Sequence, residues 1–177
     1  MGRAAKVHQR TSDCDVLIIG KVNKRFKRAG LDLICITVSD SRSDAWLNSE
    51  IASHISTYGV WLEGSGEWRN RACIGEWAIR RKERRLASLV RSVKGCWTEL
   101  HPLFQHKYRN TIRRECQRLD LLRNRIPIPP TPLLDLEWQS RRIGPPELLL
   151  IVRSLPSLAA CTTFVVNEIA ERELIRG

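Results

Sequence analysis

No stretch of this chain holds the roughly 20 consecutive apolar residues that a bilayer-spanning helix needs, and the opening MGRAAKVHQR carries no apolar secretory core. The expectation is a cytoplasmic protein with no membrane partner. The 6 cysteines stand singly, with no Cys-x-x-Cys and no Cys/His pair at zinc-finger spacing, so they read as reduced thiols rather than zinc ligands. Neither G-x-x-x-x-G-K-[ST] nor G-x-G-x-x-G occurs, which removes the common phosphate loops. His8, His54, His101 and His106 have no carboxylate or cysteine partner at a recognisable spacing, which argues against a histidine-activated nucleophile. No internal repeat is present.

Acidic residues are also scarce. Against 30 Lys and Arg stand 19 Asp and Glu, leaving a formal charge of +11. Such an excess attracts polyanions over long range and points to nucleotides or nucleic acid as partners, although a generally basic surface would look the same. With 177 residues, 42% of them hydrophobic, the chain can build one ordinary domain, or a small domain with a helical appendage.

CDVLIIG (14–20) and LDLICITVSD (31–40) are short, rich in β-branched residues and bounded by Gly or Ser/Asp, and both read as buried strands. The basic KVNKRFKRAG between them must be exposed. SDAWLNSEIASHISTYG predicts an amphipathic helix capped by Ser43 or Asp44 and closed at Gly59. VWLEGSGEW (60–68) predicts a third strand turning at Gly64 to Gly66, for a β-β-α-β outline.

From Ile74 onward apolar residues recur at helical spacing on a basic background. Tyr108, Ile112, Cys116, Leu119 and Leu122 form an inner stripe, with Arg109, Arg113, Arg114, Arg118 and Arg123 spread over the outer circumference. RRKERR (80–85) reads as a solvated face with Glu83 interspersed. IPIPPTP (126–132) cannot be helical and should run extended. Two short helices are expected after it, from Pro145-Pro146 and from Thr162 or Thr163. The expected domains are a mixed unit over 1–72 and a basic helical unit over 73–177.

In SDCD, Asp13 and Asp15 are two apart on a predicted strand, so both side chains leave one face. Asp32 heads the next strand, where a neighbouring position would bring it beside them. Three carboxylates from two strands form the oxygen cage that Mg²⁺ takes, with room for phosphates and water. Each acid taken alone also reads as a turn or strand-entry residue.

The stretch GRAAKVHQRTSDCDVLIIG resembles the active-site segment of the small nucleotidyltransferases related to DNA polymerase β, whose pattern runs Gly-Ser, often Arg-Ala, a loop, then Ser-Asp-x-Asp-hydrophobic. Arg3 and Ala4 match the Arg-Ala; Thr11, Ser12, Asp13 and Asp15 match the end of the motif. The likeness covers roughly residues 2 to 66. It implies an α+β fold, with a small mixed sheet followed by a helical unit. It also implies Asp13, Asp15 and Asp32 as catalytic ligands to two Mg²⁺ ions. Gly2, Arg3 and Lys24 or Arg25 would lie near a nucleoside triphosphate. The family's Gly-Ser pair falls on Met1 and Gly2, so its serine is absent.

Two functions are expected from this reading. The resemblance implies Mg²⁺-dependent transfer of a nucleoside monophosphate to the hydroxyl of a nucleic acid, small molecule or protein. The charge and the missing serine suit the other, a non-catalytic basic module that binds nucleic acid or protein on a relic nucleotidyltransferase fold. Short apolar C-terminal helices make a homodimer an expectation as well.

Overall fold

The computed structural model describes residues 14–64, 66–139 and Phe164. The fold is α+β, a small sheet followed by helices. Gly2, Arg3 and Asp13, and the two helices expected beyond Pro145 apart from Phe164, lie outside the described residues. The chain divides between Leu47 and Asn48 into two compact units. Residues 48–72, grouped by the sequence with the strands, therefore belong to the same unit as the long helices.

The first unit is built on strands β1 (Cys14–Gly20), β2 (Lys24–Arg28) and β3 (Leu31–Thr37), in the order β1-β3-β2. β1 runs parallel to β3 and β2 antiparallel to it. The β-branched cores of β1 and β3 favour this extended pairing. Arg28 and Leu31 are partners across the two-residue turn Ala29-Gly30, and the turn needs the positive φ of 78° that Gly30 adopts at low cost. β1 and β2 flank β3, so the link over 21–23 must pass the end of β3. Asn23 fixes that crossing. Its amide oxygen accepts from the Thr37 N–H at 3.0 Å and its amide nitrogen donates to Asp40 at 2.6 Å. The sequence placed only an exposed segment between two strands; the segment is exposed, and its middle is β2.

The strand expected over 31–40 ends at Thr37, where helix α1 (Val38–Ser41) begins, and the single helix expected from Ser43 to Gly59 is instead two, α2 (Asp44–Leu47) and α3 (Glu50–Tyr58). The Ser43 hydroxyl accepts from the Trp46 N–H at 3.2 Å and starts α2, while Ser49 accepts from the Ala52 N–H at 3.1 Å and starts α3. Between them the Asn48 carbonyl accepts from the Gly75 N–H at 3.0 Å instead of a helical donor. A third strand does not form over 60–68. Val60 and Leu62 are 84% and 86% exposed, and the Trp61 indole donates to the Gly64 carbonyl at 2.7 Å, folding the segment on itself before a 3₁₀ turn, Glu67–Arg71. Alternating apolar residues make a strand only where a sheet edge receives them.

In the second unit α4 (Glu76–Cys96) packs on α5 (Pro102–Arg123), and α6 (Thr131–Gln139) packs on α5. Leu86, Val90, Ile112, Leu119, Leu122 and Leu134 are fully buried at the centre. The inner stripe predicted for α5 lies here, with Tyr108 half-buried at its edge. Its arginines do not spread over a solvated circumference. Arg113 and Arg114 both donate to Asp135, at 2.9 and 2.6 Å at closest; Arg118 donates to Glu115 at 2.6 Å and Arg123 to Glu83 at 2.7 Å. The guanidinium of Arg109 lies 5.1 Å from the Trp97 ring. Residues 126–130 run without helix, as expected, and the buried carbonyl edge at Ile128 meets the His54 ring nitrogen at 2.6 Å. Thr131 and Pro132, placed in the extended segment by the sequence, open α6, where proline is tolerated in the first turn. Among the described residues no helix is long and apolar enough to cross a membrane.

Candidate nucleic-acid interface

The register of the sheet decides what its acids and bases can do. Asp15 is the partner of Asp32 across β1 and β3, and Lys27 is the partner of Asp32 across β2 and β3, so the three form one row on one face. Asp15 is exposed; Asp32, at the centre, is 3% exposed. A buried carboxylate requires partners. Arg25 supplies them from two positions along β2: its Nε donates to Asp32 Oδ1 at 2.9 Å, and its Nη2 to Oδ2. These hydrogen bonds hold the Asp32 carboxyl below its usual range against the opposing effect of burial, with Arg25 and Lys27 adding charge attraction. The same contact, with a smaller part from Asp15, raises Arg25.

Of the residues assigned to a metal site, the structure thus brings Asp15 and Asp32 together. The two oxygens of Asp32 are engaged by Arg25, and among the described residues no group of three His, Cys, Asp or Glu side chains converges to hold an ion. A cation shared by Asp15 and Asp32 would have to displace the guanidinium. The described residues do not by themselves fit the cage.

Lys24 and Arg25, both expected near a triphosphate, point to opposite faces because they are adjacent on a strand. Lys24 shares its face with Phe26 and Arg28. Its ammonium lies 4.6 Å from the Phe26 ring centre, and all five residues of β2 are exposed. Phe26 is 47% exposed. β2 is a sheet edge, so its outer backbone N–H and C=O groups also face away from the ladder. Sequence reasoning treated KRFKR as a run of charge and passed over Phe26; the alternation Lys-x-Phe-x-Arg was the available signal.

Compared with protein-family models, with curated proteins and with solved structures, the chain matches none.

Proposed function

We propose that this is a cytoplasmic, non-catalytic protein that binds single-stranded nucleic acid on the β2 edge of its sheet. The observation that carries the reading is Phe26, half exposed in the middle of an edge strand whose other four residues are all cationic. An aromatic face offers stacking to any base, and flanking Lys24 and Arg28 supply charge for the neighbouring phosphates. Each stacked base contributes about 1 to 3 kcal/mol by alanine substitution. The five described cysteines, Cys14, Cys35, Cys73, Cys96 and Cys116, are free thiols, in keeping with a reducing compartment.

The test is anisotropy of a labelled single-stranded 12-mer, in RNA and DNA forms, with EDTA present. Phe26→Ala should weaken binding roughly 5- to 100-fold, and Lys24→Gln/Arg28→Gln should flatten its salt dependence. Binding unchanged in both variants overturns the reading.

A second reading draws on the register of Asp15 with Asp32 and on the resemblance to nucleotidyltransferases. In it the sheet face binds Mg²⁺ and a nucleoside triphosphate through Asp13, Asp15 and Asp32, with Gly2 and Arg3 toward the phosphates, and transfers the nucleoside monophosphate. Mg²⁺-dependent label transfer from a labelled triphosphate, lost in Asp13→Ala and in Asp15→Ala, would establish it. Transfer absent from the wild type, or persisting in both variants, would remove it.

A further inference from the structure

Helix α4 contains two acids, an exposed Glu76 at its start and Glu83 turned inward, and each is engaged by an arginine. Glu83 accepts from Arg123 at 2.7 Å and Glu76 accepts from Arg125, each an arginine that follows or ends α5. Lys82 also turns inward, 2% exposed, between Glu50 at 2.9 Å and Glu115 at 3.0 Å. Arg80, Arg81, Arg84, Arg85 and Arg91 of the same helix are all exposed. Among the described residues none of the five joins an ion pair; Arg81 instead lies 5.0 Å from the ring centre of Trp77. The arginines of RRKERR form the exposed face expected of them, but Glu83 does not lie among them. The segment resolves into an inward Lys-Glu pair and an outward set of arginines.

Arg80, Arg84 and Arg91 follow one line along the helix, and Arg81 and Arg85 lie beside it with Ser88 and Ser92 between. Like charges at this spacing repel and lower helix stability when nothing neutralises them. On α5 the contrast is plain: Arg113, Arg114, Arg118 and Arg123 each meet a carboxylate.

We infer that the outer face of α4 docks on the phosphate backbone of a double-stranded nucleic acid. From Arg80 to Arg91 the helix advances about 16 Å at 1.5 Å per residue. Over that length a duplex presents a regular row of phosphates, which the outward row of arginines complements in charge. The guanidinium fork binds phosphate bidentately, and a rigid row of forks suits a backbone of fixed spacing better than a flexible strand. Backbone contacts of this kind position a helix without reading sequence. The surface belongs to the helical unit and does not rest on the reading of β2; either can fail alone.

The test measures affinity of the full chain for a 20-base-pair DNA duplex, the RNA duplex of the same sequence and each single strand, across a salt series. Arg80→Gln/Arg84→Gln/Arg91→Gln should weaken duplex binding by at least about tenfold at 0.1 M salt and reduce the log–log salt slope on DNA by about 2.7, at 0.9 per phosphate lost. Arg81→Gln/Arg85→Gln should reduce it by about 1.8. A charge-matched control at exposed sites elsewhere, Arg42→Gln/Arg71→Gln/Lys107→Gln, should leave the slope near wild type. An unchanged slope in both α4 variants overturns the inference, and so does an equal loss in the control. A loss confined to the single strands, or stronger binding of poly-glutamate than of either duplex, also overturns it.

Discussion

Lys82 and Glu115 meet at 3.0 Å inside the packed helices, where the lysine side chain is 3% exposed and the glutamate 12%. Burial alone would push the Glu115 carboxyl up, yet Lys82 and Arg118 together hold it below its ordinary value. Lys82 reaches α3 as well, through Glu50, so one ammonium ties three helices.

Removing that ammonium leaves Glu115 buried with Arg118 as its remaining cation. Lys82→Ala should destabilise the helical unit by about 3 to 5 kcal/mol, the usual cost of stranding a buried charge. Glu50→Gln should cost much less, because Glu50 is a third exposed and Lys82 keeps Glu115. Chemical denaturation of the three proteins checks the order. A Lys82→Ala protein as stable as Glu50→Gln would mean that the network contributes nothing.

Cys116 gives the helical unit an alkaline limit. Burial first, and the neighbouring Glu115 second, push its thiol up to about 12. In the unfolded chain the thiol ionises near 8.5. The raised group contributes fully below that unfolded value, and the contribution drains away as pH climbs toward the folded one. Stability should fall by up to about 1.4 kcal/mol per pH unit over this window. Denaturation midpoints of wild type and Cys116→Ala at pH 8 and pH 10.5 test it: the wild type should lose more between the two. Parallel losses would assign the alkaline limit to other groups.

Much of this arrangement was legible in the residues. The β-branched runs of β1 and β3 announced themselves, and Asp15 and Asp32 head neighbouring strands as their positions suggested. What the residues could not show is pairing decided at a distance. Lys24–Arg28 has no apolar alternation, and becomes a strand because the Gly30 turn lays it against β3. The capture of Asp32 by Arg25 depends on that register, so the acid that looked like a metal ligand is already engaged. The arginines of α5 turn to acids on α4 and α6, which no helical period reveals. Val60 and Leu62 alternate like a strand but stay exposed.

The Asp32–Arg25 pair titrates on the acid side. Its lowered carboxyl contributes stability above the unfolded value of about 3.9, and loses it as pH falls through the lower folded value. A carbon-detected NMR titration of the Asp32 carboxyl should give a midpoint below 3.9, rising in Arg25→Gln. A midpoint that does not move in the variant would show that Arg25 is not the cause.

Two glycines should respond to alanine with opposite signs. At Gly75 an added Cβ would meet the Cβ of Asn48 at 2.6 Å, just where the Asn48 carbonyl accepts the Gly75 N–H and joins the start of α4 to the segment before α3. Neither partner is a flexible chain end, so Gly75→Ala should cost about 1 to 3 kcal/mol, as overpacking does. At Gly95, near the end of α4, an added Cβ meets nothing within 4 Å. There alanine removes backbone freedom from the unfolded chain and gains helix propensity, and Gly95→Ala should stabilise by about 0.5 to 1 kcal/mol. Thermal melts of the two variants beside wild type should bracket it, Gly75→Ala below and Gly95→Ala above. A neutral Gly75→Ala would mean that Asn48 can withdraw, and that the break between α2 and α3 does not depend on this contact.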